Sequence, residues 1–280
     1  MSNAIAERFR TELRSDLEHK RLVLPTLPEV ALRIREVVDD PKASMPQIAR
    51  VVATDMALSA RIIQIANSPL MRATRTIETL DAAIARLGMK LVRELVTSLS
   101  MSQMFQATSD VTDKRLRALW EHSVQVAAIS HALASRFTKL KPEQAMLAGL
   151  VHDIGALPII AKAEETPELL ENEAALDEVI HTLHAEVGRA ILEAWNFPPE
   201  LVAVPSGHEE LKRNSPTPDY VDVVTVANLQ AYVGTDHPLT KLDWSRIPAF
   251  SKLGLNPEVN VVEMTETAEQ IREVQGLLSA

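Results

Sequence analysis

With 280 residues, 46% of them hydrophobic and 24% charged, the chain has the composition of a globular protein and enough length for a large core. A net charge of -9 argues against broad attraction to nucleic-acid phosphate or to anionic lipid, so neither nucleic acid nor membrane is expected as a partner. The lack of cysteine removes disulfides, thiolate metal sites and cysteine nucleophiles, and suits a reducing, cytoplasmic setting.

No uninterrupted apolar run reads as long enough to cross a bilayer, and no basic-then-apolar leader is visible at the start. Residues 5–20 read as a polar helix with a thin stripe of Ile5, Phe9, Leu13 and Leu17. Leu24-Pro25-Thr26-Leu27-Pro28 ends it, and Pro28 opens the next helix, with Val30, Ile34, Val37 and Val38 at helical spacing. Ser44 and Gln47 have the form of a capping box. Asp55–Asn67, Thr79–Leu87 closed by Gly88, and Leu91–Phe105 follow as helices. Ala107–Asp113 reads as a polar break. Beyond it the pattern predicts helices at Lys114–Phe137, Pro142–Asp153, Leu157–Ala163, Leu176–Trp195, Pro199–His208 and Tyr220–Val233. Thr235–Asn256 reads as irregular and Pro257–Leu278 as a last helix, docked on its own chain. No alternating strand pattern occurs, so the expected class is all-α: a multi-helix bundle with an N-terminal helical subdomain. The expected divisions are 1–21, 22–110, 111–235 and 236–280.

The centre of the chemistry is Ala148–Gly155, where apolar residues surround His152 and Asp153. Burying a charged carboxylate there costs several kcal/mol unless it is paired or binds a cation. Gly155 is expected to let the chain turn sharply. His122, His184, His208 and Asn228 each lie on another predicted helix with apolar flanks, and helical proteins build metal sites from such convergent side chains. One ion would take His122, His152 and Asp153, with Asn228 as a further candidate. A second would share Asp153 and take His184 and His208. Two such ions roughly 3.5–4 Å apart could clamp a phosphate. A histidine on an apolar face is more often a hydrogen-bonded core residue, and His19, His131 and His237 are read so. His181, one turn before His184, is read as a solvent-side neighbour. Arg61, Arg72, Arg75, Arg86 and Arg93 could form an anion patch but read better as solvated faces.

These residues resemble the HD superfamily of metal-dependent phosphohydrolases, and within it the HDOD domain, an output domain of bacterial signalling proteins. The motifs that carry the resemblance are Leu24–Val30, Asp55–Ser59, Ile65–Pro69, Ala83–Gly88, His152–Gly155, His184–Gly188 and Trp195–Pro198. The resemblance implies metal ligands at His122, His152, Asp153, His184, His208 and Asn228, with Fe, Mn, Ni or Zn as the ion, one or two in number. It also exposes departures. Ala156 stands where active relatives often carry Lys, Gly207-His208 replaces a His pair, Asn228 replaces a distal Asp, and the Gly-Tyr-Pro motif of cyclic-dinucleotide phosphodiesterases is missing. The resemblance therefore implies a signal-transduction output module without catalysis. It would meet signalling proteins in trans, with a nucleotide and a second copy of the chain as other candidate partners. A working phosphohydrolase on a nucleotide or cyclic dinucleotide is the alternative, and a metal or redox sensor is the third reading.

Overall fold

In the computed structural model, residues 2–71, 75–106 and 110–279 are described, and all regular structure among them is helical. The all-α expectation therefore holds. The stripe on α1 (Ser2–Glu18) buries Phe9 and Leu13 against α11 (Glu173–Ala194). Next come α2 (Glu29–Asp39), α3 (Met45–Val52), α4 (Met56–Ala66), α5 (Leu80–Leu87) and α6 (Met89–Ser100). Their ends follow local chemistry. Gln47 Oε1 accepts from Ser44 N at 2.8 Å, Asp55 accepts from Leu58 N at 3.0 Å, and Thr79 accepts from Ala82 N at 3.3 Å. Gly88, at φ +80°, links α5 to α6 in a conformation that side chains disfavour.

The second half is built on α7 (Asp110–Phe137), which packs against α8 (Pro142–Val151), α13 (Tyr220–Ala231) and α15 (Thr265–Ser279). Between these lie α9 (Ala156–Ala163), α10 (Pro167–Leu170), α11, α12 (Pro199–Gly207) and α14 (Pro248–Leu253). The expected break at Ala107–Asp113 is corrected from Asp110 onward, where the chain is already helical; residues 107–109 lie outside the described residues. Arg117 pairs with Asp113 one turn earlier at 2.6 Å, and Arg115 reaches Asp177 on α11 at 2.5 Å. These contacts hold a polar first turn that has little apolar pattern of its own. The last helix also starts later than expected. Pro257–Met264 forms turns, and Thr267 Oγ1 donates to the carbonyls of Val261 and Met264 to set the start of α15. In the segment expected to be irregular, α14 begins on Pro248 and ends at Gly254 in a left-handed cap.

Pro142–Ala163 corrects the expectation about apolar runs: by length and composition it could cross a membrane, with a mean hydropathy of 1.4. It is 89% buried within the protein and is interrupted by the polar turn at His152 and Asp153. One apolar core runs from α1 to α15. The two halves are tied by the Trp195 indole, which donates to Pro25 O at 3.0 Å, and by Arg35, which donates to Asn196 O at 2.8 Å and lies over the Phe197 ring. Three of the arginines considered as an anion patch, Arg61, Arg86 and Arg93, are spent on the chain itself. Arg86 donates to Ala66 O and Arg75 O, Arg61 to Gly276 O, and Arg93 to Asp39 and Glu94. Arg72 lies outside the described residues.

Candidate metal centre

Five segments deliver side chains to one place. His122 comes from mid α7, His152 caps α8, and Asp153 sits in the turn before α9. His184 comes from mid α11, His208 caps α12, and Asn228 is on α13. His152, His208, His184 and Asn228 are all buried. His122 and Asp153 keep side-chain exposures of 17% and 20%, so the cluster reaches solvent only along that side.

The turn that carries Asp153 depends on Gly155, for a different reason from the one expected. Its backbone is in the ordinary right-handed helical region, with φ -65°. What glycine provides is room: a Cβ there would lie 1.9 Å from His184 O and 2.5 Å from Gly188 N. The missing side chain lets α11 press against the turn, and that brings His184 beside Asp153.

Distances among the donor atoms run from 3.2 to 3.9 Å. Asp153 Oδ2 lies 3.2 Å from His152 Nε2 and 3.9 Å from His122 Nε2. Asp153 Oδ1 lies 3.4 Å from both His184 Nε2 and His208 Nε2. The Nε2 atoms of His122 and His152 are 3.3 Å apart. Ligands about 2.0–2.1 Å from one transition-metal ion sit roughly 3.0–3.4 Å from each other; all of these separations fall in that range except the 3.9 Å from Asp153 to His122. The donors fall into two groups, His122 with His152 and Asp153, and Asp153 with His184 and His208. Asp153 turns one oxygen to each, as a bridging carboxylate would.

The far side of each inner ring is already committed. His152 Nδ1 meets Gly149 O at 2.7 Å, His184 Nδ1 meets Ile180 O at 2.9 Å, and His208 Nδ1 meets Pro205 O at 3.0 Å. A carbonyl only accepts, so each Nδ1 carries the proton and each neutral ring points its Nε2 lone pair at Asp153. Lone pairs facing a carboxylate repel unless a cation stands between them or a ring is protonated. The second response is visible in the electrostatics. Burial pushes Asp153 upward, but the charges of His152 and His208 outweigh it and hold the carboxyl well below its usual range. Burial opposes protonation of His208, while its contact with Asp153 raises its pKa overall. His122 goes the other way: burial, then the neighbouring charge of His152, lowers it to about 4. Asn228 is set beside this group with its buried Oδ1 lacking a hydrogen-bond partner, as an oxygen donor toward a cation would be.

A cavity of about 540 Å³ opens onto the cluster. Asp177, His181, Glu209, Tyr232 and His237 form its polar wall, with Leu119, Ile180 and Leu239 opposite; no Lys or Arg lines it among the described residues. Tyr232 and Glu209 escaped the sequence reading, and His237 was read as structural. Tyr232 caps the helix that carries Asn228, one turn further on, which was a usable signal. Its hydroxyl is 3.4 Å from His122 Nε2, and its ring stacks on His237 at 3.7 Å between centroids. His237, expected to be structural only, thus covers the mouth from a loop. His181 has 76% of its side chain exposed beside Glu209, in keeping with a solvent-side neighbour.

The family model for the HDOD domain matches residues 24–211. The chain belongs to the HDOD family. The match stops short of Asn228 and Tyr232. Among solved structures, the chain is similar to a "Putative metal-dependent phosphohydrolase" of Shewanella amazonensis SB2B, with 30% identity and a TM-score of 0.87 over 99% of this chain and 100% of that one. It shares its fold with an HDOD domain protein of unknown function from Geobacter sulfurreducens, at 23% identity and a TM-score of 0.64 over 97% and 96% of the two chains. Among curated proteins it is 24% identical to an uncharacterized protein of Treponema pallidum (strain Nichols) over 72% of this chain and 40% of that protein. It is 30% identical to ribonuclease Y of Chlorobaculum tepidum over 40% of this chain and 18% of that protein. The HDOD chain therefore spans two-fifths or less of the length of these curated relatives.

Proposed function

We propose that this HDOD protein is a signal-transduction output module that holds a divalent transition metal in its interior and relays a signal by protein contact in trans, without phosphoester turnover. The carrying observation is the charge of the mouth. A phosphate ester needs cationic side chains or donors to receive it. Here the wall presents Asp177 and Glu209, and Ala156 lines it at the position where active relatives often carry Lys. Four imidazoles with one carboxylate suit Fe, Mn, Ni or Zn over the harder Mg and Ca. The two donor groups support one or two ions.

Metal-loaded protein assayed on nucleotide, cyclic-dinucleotide and phosphodiester panels should show no turnover above buffer. Turnover that vanishes in His152→Ala would overturn the module and establish the second reading, a phosphohydrolase. That reading draws on the similarity to the Shewanella protein and on the bridging placement of Asp153. Paired ions would supply a hydroxide and neutralise phosphate charge. This chain's own residues would orient the ester against Tyr232 and the apolar wall.

A further inference from the structure

The cluster is short of negative charge. Two divalent ions would bring four positive charges, while the inner donors would supply one negative charge, on Asp153; the imidazoles would be neutral ligands and Asn228 an amide. Uncompensated charge in a buried site is costly. The residue placed to correct this is Glu209, which directly follows the His208 cap of α12.

Its carboxylate spans the outer side of the second donor group. Oε2 lies 3.8 Å from His184 Nε2, and Oε1 lies 3.6 Å from His181 Nδ1. Because Nδ1 of His184 is bonded to Ile180 O, the His184 lone pair faces two carboxylates at once, Asp153 Oδ1 at 3.4 Å and Glu209 Oε2. The Glu209 carboxylate thus stands just outside the Asp153, His184 and His208 group, and at 36% exposure its side chain retains freedom to move inward. Glu209 also lines the cavity that leads to the cluster.

We infer that Glu209 is a carboxylate ligand to the ion held by Asp153, His184 and His208, closing that position from the solvent side. The inference rests on the metal reading above. It explains how a site whose distal acid is an amide still balances a second ion: the missing charge comes from the neighbouring loop instead of from α13. It also makes the mouth a metal-entry route guarded by an acid, unsuited to a polyanion.

The test is a titration of the apoprotein with Mn²⁺, following the free ion by electron paramagnetic resonance. Glu209→Gln should weaken uptake at one class of site by about tenfold or more. Glu210→Gln, a change of the same charge on the adjacent residue, should leave uptake unchanged, and both variants should unfold in urea like the parent when metal-free. In a His208→Ala background Glu209→Gln should have no further effect. If the parent takes up no Mn²⁺, the metal reading and this assignment fall together. If the parent binds while Glu209→Gln binds equally well, or Glu210→Gln is equally impaired, Glu209 is no ligand and the metal reading stands.

Discussion

From Glu29 to Phe105, most polar side chains that leave solvent do so to close backbone. Asp55 and Thr79 cap helices, Asn67 clamps both the N–H and the carbonyl of Ile77, and Arg86 serves two carbonyls at once. From Asp110 to Ala231 a second set is turned inward onto itself, with four imidazoles, a carboxylate and an amide around one point. The first pattern spends its polar groups on backbone hydrogen bonds, with Arg35, Ser68 and Ser98 each keeping a buried side-chain atom without a partner. The second leaves lone pairs facing a charge of the same sign, which a folded chain retains only where something else completes the arrangement. On the metal reading, the stability cost of the HDOD site and its capacity to bind would have the same origin.

Glycine substitutions should break this comparison most sharply. Gly155→Ala places a Cβ against the backbone of His184, which cannot step aside without moving α11. The expected cost is about 3 kcal/mol or more in urea unfolding, or failure to fold. Gly88→Ala meets nothing within 4 Å and suffers only from its positive φ, for a cost of about 1 kcal/mol. Equal costs would mean that the contact between α11 and the Asp153 turn is looser than described.

Metal should separate the halves next. At Mn²⁺ about 100-fold above its dissociation constant, the parent should gain about 2.7 kcal/mol against urea, and Asp153→Asn should gain nothing. Asp55→Ala should lose about 1 kcal/mol of cap energy yet keep the full metal response. A response that survives in Asp153→Asn would move the binding site elsewhere in the chain.

Much of this arrangement was legible because it is local. Ser44 with Gln47, Asp55, Thr79 and Gly88 mark helix ends within four residues of the groups they serve. The histidines were legible through apolar flanks and family motifs, although the Gly155 contact behind them was misread as a turn requirement. What stayed hidden depends on distant partners. The helical Asp110–Asp113 turn leans on an ion pair to α11, and the late start of α15 is fixed by Thr267 reaching back to Val261. Glu209 and His237 join the site from the solvent side, where helical periodicity carries no information about what they face.

His131 sharpens the contrast within the second half, since it is a buried histidine with no metal-like company. Its Nδ1 accepts from the Gln270 amide at 3.1 Å, so the proton sits on Nε2, which is buried without a partner. Burial lowers its pKa from 6.5 to about 4. Between those values the unfolded chain binds a proton that the folded chain refuses. The stability from a neutral His131 is thus full above pH 6.5, declines as pH falls, and is gone below about pH 4. Going from about pH 7.5 to about pH 5, the parent should lose about 2 kcal/mol more than His131→Leu in urea unfolding. Parallel curves for the two proteins would show that His131 protonates freely in the folded state.

The smallest expected effect tests whether the halves are coupled or merely adjacent. Trp195→Phe keeps an aromatic ring beside Phe197 and removes the indole donor to Pro25 O, so it should cost about 1 kcal/mol. Trp195 caps the helix that carries His184, eleven residues further along α11. If the helix moves as a rigid rod, loosening its far end should also reduce the Mn²⁺ stabilisation measurably. If the Gly155–Gly188 contact alone fixes His184, the metal response should be untouched. The close backbone approach at Gly155 favours the second result: additive losses in unfolding, with an Mn²⁺ increment equal to that of the parent. A diminished increment would instead make α11 the route by which metal occupancy reaches the N-terminal helices.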